Sequence, residues 1–429
     1  MKKAIMNSGN QQDINDYNRM VALRQQYISE HDPVQRSNTG KEVEQLDKRL
    51  SYSAAGYGTF AKLNNTKWQD VCAGLHEGDI AIEFYNIPIM YRSDTLQNMT
   101  GEPRYCAVFL KKGAKNPKII PLCKESELED LELDSLYNTD LLYRLIWQPM
   151  EKELVGVKNI YFAADRELHQ IGIEYALMPD NARIGDKYNL YRLSSTRLLV
   201  EKHNDVKSKD AVLFGGLKYD LEREQLIAES RSGEYHSKKA SRTIDMDNLR
   251  YGVEYLPGTK KEVEEISKKF ISSRDRCEII TGVSGTEEAF RALENKHVNI
   301  IHLATHGFFW SEEDADKRNY VSFLANINKQ ERSEDVALLR SGLFFSGANI
   351  GLAGESLPDD VEDGILTARE LSAMNLGKVD MVVMSACQSG LGEVSGEGVF
   401  GLQRGFKLAG ANTLLMSLWK VDDEATQQL

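Results

Sequence analysis

VNIIHLATHG, residues 298–307, is the stretch on which the reading of this chain turns. It is apolar at neighbouring as well as alternate positions, as a strand covered on both faces of a parallel sheet must be. It then ends in a histidine and a glycine, although a core strand has no need of a titratable group at its tip. In open parallel sheets, ligands bind beyond the carboxyl ends of the strands. His306 therefore either fills space at a strand end or stands where chemistry is done.

The flanking sequence supports a parallel sheet. AVLFGGL (211–217), CEII (277–280), VDMVVMSAC (379–387) and NTLLMSLW (412–419) are further apolar runs of strand length. Helical patterns lie between them: TKKEVEEISKKF (259–270), where Thr259 and Glu262 predict a capping box, TEEAFRALEN (286–295), and a helix capped by Thr367 and Glu370. Alternating strand and helix predicts an α/β unit with helices on both faces of the sheet. The polar, basic stretch from Glu222 to Tyr255, with Arg231, Lys238, Lys239 and Arg242, predicts an exposed loop. Residues 311–340 predict an irregular charged insertion.

An earlier, smaller α/β unit is predicted from DIAIEFY (79–85), RYCAVFLKK (104–112), PKIIPL (117–122) and KNIYFAA (158–164), with a helix over LYRLIWQPMEKELVG (142–156), closing near YRLSSTRLLV (191–200). Before it, Ile14, Tyr17, Met20 and Val21, then Val43, Leu46 and Leu50, fall at helical spacing around a break near Pro33 and Gly40. This predicts a helical hairpin. The expected divisions are a helical extension over 1–66, an α/β lobe over 67–207 and a second lobe over 208–429. The two lobes are candidates for distant duplicates.

At 429 residues and 41% hydrophobic content the chain has enough material for more than one core. A net charge of −12 argues against nucleic acid as a direct partner, because such binding needs a positive face. The start, MKKAIMNSGN, has no apolar stretch of signal-peptide type, and no run reaches the roughly 18 apolar residues of a membrane span. A cytoplasmic protein without a membrane partner is expected. The five cysteines, Cys72, Cys106, Cys123, Cys277 and Cys387, form no CxxC pair, so neither a disulfide framework nor a thiolate metal site is expected. At least four read as small buried hydrophobes.

Cys387 ends a strand in the same way as His306. Two strand tips on one sheet edge would bring a thiol nucleophile to an imidazole acid or base. Gly307 lets the backbone turn after the histidine, and its N–H with that of Cys387 would bind an oxyanion. Ser389 and Gly390 suit a tight turn. The plain alternative is a satisfied strand-end histidine and a buried thiol. His302, four residues before His306, reads as a packed core histidine.

The runs HLATHGFF, DGILTARELSAMNL, VVMSACQSGLG, GEGVFGLQRGFKLAGANTLLMSLWKVDDEAT and RLSSTRLLV resemble a CHAT domain, the caspase-like module commonly found with tetratricopeptide repeats. The resemblance covers roughly residues 67–429. CQSGLG followed by AGANTLLMSLWKVDDE is also similar to the catalytic end of separases. The resemblance implies a caspase-like parallel-sheet sandwich and a cysteine endopeptidase acting on protein substrates without a cofactor or metal. Cys387 is then the nucleophile, His306 the general acid/base, and Gly307 and Cys387 line the oxyanion site. The separase likeness implies an acidic residue in the pocket for the residue before the scissile bond (P1), matching Asp422 or Asp423, and so a P1 arginine or lysine. Asp422 or Asp423 equally suits the N-cap of a helix starting at Glu424. Asp363 is a second acidic candidate for substrate binding, with a turn residue as its alternative, and Ser385 and Arg340 border the site. The family pattern continues beyond Leu429 through another helix and strand, so the resemblance implies a lobe short of one sheet edge. No tetratricopeptide array precedes residue 67.

A rival reading from a different class is a catalytically silent scaffold of the same fold that acts by protein binding. A third is a latent protease switched on by a protein partner or by self-cleavage in the basic insertions 222–255 and 311–340. GEGVFG (396–401) matches G-x-G-x-x-G, but follows no first βαβ strand, and reads as a loop entering a helix that ends at Ala409 and Gly410. GxSxG, HExxH and P-loop motifs are absent from the sequence.

Overall fold

The computed structural model describes residues 5–6, 8–29, 33–55, 65–87, 90–91, 99–100, 102–129, 131–200, 210–233, 252–273, 275–309, 338–385, 392–395 and 398–417. Gln11–Ser29 (α1) and Pro33–Ala55 (α2) are helices. Ser53 Oγ donates to Asp13 at 3.4 Å, and Arg49 and Arg19 pair with Asp16 and Glu42. Numbers that rise on one helix as they fall on the other make an antiparallel hairpin, as the apolar spacing predicts. Pro33 opens α2, where its missing N–H costs nothing, and Gly40 does not break the helix.

By internal contacts the chain divides into two compact units: Met1–Ala54 with Asp205–Glu393 and Val399–Leu429, and Ala55–Asn204 with Val394–Gly398. The helical hairpin thus groups with the later α/β part.

The unit of residues 55–204 contains Trp68–Gly74 (α3), Asp79–Ile87 (β1), Arg104–Lys111 (β2), Lys118–Lys124 (β3), Asn159–Ala163 (β4) and Asn189–Leu193 (β5). Its sheet order is β3-β2-β1-β4-β5. β1, β4 and β5 run parallel, while β2 and β3 are antiparallel to their neighbours. The predicted helix over 142–156 is instead a π turn, Tyr143–Trp147, followed by a 3-10 helix, Gln148–Glu153. Pro149 explains the change, since it has no N–H for a regular helical bond. Trp147 is fully buried, and its indole N–H donates to the Ile173 carbonyl at 2.9 Å.

The other unit holds the sheet predicted from residues 298–307. Ala211–Leu217 (β6) leads to Arg223–Ser232 (α4), Pro257–Ser273 (α5), Cys277–Gly282 (β7) and Glu287–Arg291 (α6). Ile300–Ala304 (β8) follows, then a small antiparallel sheet of Gly307–Phe309 (β9), Ser341–Phe344 (β10) and Ile365–Thr367 (β11), with Ala348–Leu352 (α7) between its last two strands. Ala368–Ala373 (α8) and Met381–Ser385 (β12) come next. A two-stranded pair, Gly392–Ser395 (β13) and Gly398–Gly401 (β14), precedes Leu402–Ala409 (α9) and Thr413–Met416 (β15). The main sheet has the order β15-β12-β8-β6-β7, and all its pairings are parallel. The second α/β part therefore has an all-parallel sheet where the first has a mixed one.

Helices cover both faces. On one, Val263 of α5 packs with Ala211, Leu213 and Ala304. On the other, Phe214, Ile301, Leu303, Val382 and Met384 join Phe290 of α6, Leu371 of α8 and Phe406 of α9. Edge-on aromatic pairs, Phe214 with Phe290 and with Phe345, lie at 6.0 and 5.9 Å and add about 0.5–1.5 kcal/mol each beyond area burial. Thr367 and Glu370 form the predicted capping box of α8. The one at Thr259 and Glu262 does not form: α5 starts earlier at Pro257, and Thr259 Oγ1 bonds to Leu256 and Gly216 instead. The expected loop at Glu222 begins as α4, with Leu226 fully buried. GEGVFG ends in β14 rather than a loop, and α9 ends at Gly410 in the left-handed region (φ 103°). Lys238, Lys239, Arg242 and residues 311–337 lie outside the described residues. Among those described, no helix is long and apolar enough to cross a membrane.

Candidate active site

The parallel register sets the site. Ala304 of β8 pairs with Ser385 of β12, so these adjacent strands end level at the carboxyl edge of the sheet. His306 follows Ala304 by two residues, and Cys387 follows Ser385 by two. Cys387 itself, with Ser389, Gly390, Asp422 and Asp423, lies outside the described residues.

His306 is held from several sides. Thr305, 1% exposed, donates its hydroxyl to the Phe344 carbonyl at 2.5 Å. The Tyr219 hydroxyl must therefore donate to Thr305 Oγ1, at 2.8 Å, and it accepts the His306 backbone N–H at 3.3 Å. The His306 and Tyr219 rings lie 5.2 Å apart. Nε2 of His306 is 2.8 Å from the Glu254 carbonyl oxygen. A carbonyl only accepts, so Nε2 carries a proton and Nδ1 holds the lone pair of the neutral ring. Nδ1 has no partner among the described residues.

Glu254 is placed by its neighbour. Asn349 on α7 accepts the Val253 N–H at 2.7 Å and donates to the Val253 carbonyl at 3.2 Å. Gly252, at φ +64°, lies so close that a Cβ there would meet the Asn349 amide at 2.8 Å. The carbonyl facing His306 is thus set by a side chain about a hundred residues further on in the sequence.

Gly307 opens β9, the edge strand of the small antiparallel sheet. It pairs with Leu343, and the Phe344 N–H bonds to the His306 carbonyl at 3.0 Å. That pattern makes Gly307–Leu343 a non-hydrogen-bonded pair, so the ladder does not use the Gly307 N–H.

Ser385 ends β12 at the site edge, but its hydroxyl donates to Glu262 Oε2 at 3.1 Å. Glu262 Oε1 lies 2.8 Å from His302 Nε2, and His302 is 6% exposed, a bonded core histidine as predicted. Arg340 is buried immediately before β10. Asp363 sits in a different constellation. Its Oδ1 accepts the Ile365 N–H at 2.9 Å, and burial with Glu370 nearby pushes its carboxyl up to about 8. Arg291 lies beside it, 2.6 Å from Glu287, 3.4 Å from Glu362 and 3.3 Å from Glu370. These three carboxylates are close enough to share a cation, and the guanidinium already sits among them.

A cleft of about 400 Å³ opens at the ends of β6 and β7 and shares Tyr219 with the His306 support. Lys218 and Lys260 oppose Asp220 there, a charge balance unsuited to a basic side chain. Burial raises the thiols of Cys72, Cys106 and Cys277, and raises Cys123 to about 12, so all four stay protonated at neutral pH.

Sequence reasoning placed His306 and Gly307 on this edge but not Tyr219, Thr305, Asn349, Glu254 or Glu262. Only Glu262 carried a signal, the cap-like spacing to Thr259, and that pointed elsewhere. No curated protein matches the sequence. A profile of the CHAT domain matches residues 139–429, well over half of the chain, beginning partway through the first α/β part. The all-parallel sheet with its histidine tip lies wholly within this match, and the chain belongs to the CHAT domain family, a caspase-like family.

Proposed function

We propose that this chain is a cysteine endopeptidase using Cys387 as nucleophile and His306 as general acid/base. The observation that supports the reading is the register of β8 and β12: Ala304 and Ser385 end two neighbouring strands level, and His306 and Cys387 each follow by two residues in the sequence. His306 Nδ1 takes the Cys387 thiol proton, the resulting thiolate attacks the scissile carbonyl, and the Gly307 and Cys387 N–H groups take the oxyanion. Collapse to a thioester expels the amine as it receives a proton from His306 Nδ1, while the Glu254 carbonyl holds the Nε2 proton of the imidazolium. Water then attacks the thioester, releasing the acid and restoring the thiol. A basic P1 residue facing Asp422 or Asp423 is the specificity this reading carries, and partner or self-processing control is its regulation.

A peptide library with every P1 residue represented tests it, using the full chain and its Cys387→Ala and His306→Ala variants. Cleavage after arginine or lysine, lost in both variants, is expected. Cleavage after other residues would discard the acidic pocket but keep the peptidase. Cleavage that survives Cys387→Ala would overturn the mechanism.

A further inference from the structure

Three polar side chains meet beneath the two strand tips. Glu262, in the second turn of α5, presents Oε1 to His302 Nε2 on β8 at 2.8 Å and accepts from Ser385 Oγ on β12 at 3.1 Å. Glu262 and His302 are 8% and 6% exposed. Burying a carboxylate is costly unless paired and hydrogen-bonded, and a well-packed apolar side chain often does as well for stability alone. What the carboxylate adds is a directional tie between two strands and one helix.

The close approach is built into the sequence. A Cβ at Gly215 would meet the Thr259 carbonyl oxygen at 2.5 Å and Val263 Cγ1 at 2.7 Å, so only glycine lets α5 lie this near β6. The segment entering α5 also supplies the Glu254 carbonyl to His306. One element therefore reaches His306 through the Glu254 carbonyl and, through Glu262, the middle of β8 and the end of β12.

We infer that Glu262 is a positioning residue: it ties β8 at His302 and the end of β12 at Ser385 to α5, and so fixes the spacing of His306 and Cys387. This rests on the cysteine-peptidase reading. Glu262→Gln keeps the geometry, since an amide accepts from Ser385 and donates to the ring nitrogen of the other His302 tautomer. Glu262→Ala removes both arms, and Ser385→Ala removes one.

The test uses the full chain and its Glu262→Ala, Glu262→Gln and Ser385→Ala variants. It combines steady-state kinetics on the best library peptide with amide hydrogen exchange at the ends of β8 and β12 and in β6. For Glu262→Ala the expected result is kcat down by about 10- to 100-fold with KM within about twofold. Exchange should rise at least about tenfold at the two strand ends only. Glu262→Gln should recover most of kcat. A kcat within twofold of wild type in Glu262→Ala, a uniform rise in exchange, or a Glu262→Gln variant as slow as Glu262→Ala would overturn the inference. If Glu262→Ala does not fold, Ser385→Ala decides, with a smaller loss of kcat and faster exchange at β12 expected and no change in either overturning it. If the wild-type chain cleaves nothing, the failure falls on the peptidase reading, and the exchange pattern alone decides whether Glu262 braces the tips.

Discussion

The carboxyl ends of the two sheets are built alike and finished differently. In the mixed sheet most polar groups there satisfy one another, the buried Asn86 Oδ1 being an exception. Glu83 Oε1 accepts from Ser195 Oγ, Thr196 N and Thr196 Oγ1, and Asp165 accepts the Asn86 N–H. Arg192 spends its guanidinium on Glu174 and on the carbonyls of Leu168 and Ile171. Even its histidine is quiet, since burial and Arg192 hold His169 down at about 4. In the all-parallel sheet the supports are equally thorough, yet they leave His306 Nδ1 and the Gly307 N–H unused by the described residues. On the proposed reading, the unused groups at this strand end are the reacting ones.

The largest expected effect separates the two histidines. His306→Ala should lower turnover by about 10²- to 10⁴-fold, the usual range for a general acid, whereas His169→Ala should leave it within about twofold. Comparable losses in both would erase the distinction. Next in size, Arg291→Ala leaves the buried Glu287 and the half-buried Glu362 and Glu370 without their cation and should cost about 3–5 kcal/mol in urea denaturation. Glu83→Ala should cost about 2–3 kcal/mol by stranding the donors of Ser195 and Thr196, with cleavage unaffected, because that edge is structural.

A further expected effect is a pH dependence. The Asp363 carboxyl is raised from an unfolded value of about 3.9 to about 8, so the folded state keeps a proton that the unfolded chain gives up. Its contribution is complete below the unfolded value and is lost as pH rises through about 8. Asp363→Asn should flatten stability across that window and gain at least about 1.4 kcal/mol at pH 9, the equivalent of one pKa unit. An unchanged slope between pH 4 and 8 would remove Asp363 from the account.

The strands were legible because burial on both faces leaves an unbroken apolar run, and His306 because it interrupts one. Other local signals misled where tertiary contacts competed. Thr259 and Glu262 have the spacing of a capping box, but Pro257 starts the helix and the sheet draws in the Glu262 carboxylate. Pro149 sits inside a helical pattern and tightens the turn around it. The histidine's supports come from far along the chain, 87 residues away for the Tyr219 hydroxyl and 52 for Glu254, the latter through a backbone carbonyl that any residue type would supply. Composition and spacing cannot register a carbonyl.

The most direct test of the central claim compares two leaving groups on one acyl donor, an amide and an activated ester, in wild type, His306→Ala and Cys387→Ala. An amine must be protonated to leave, whereas an activated ester oxygen leaves unaided. His306→Ala should slow acylation by the amide about 10²- to 10⁴-fold and by the ester less than about tenfold, with Cys387→Ala losing both. Equal rates for wild type and His306→Ala on the amide, or acylation that persists in Cys387→Ala, would contradict the assignment.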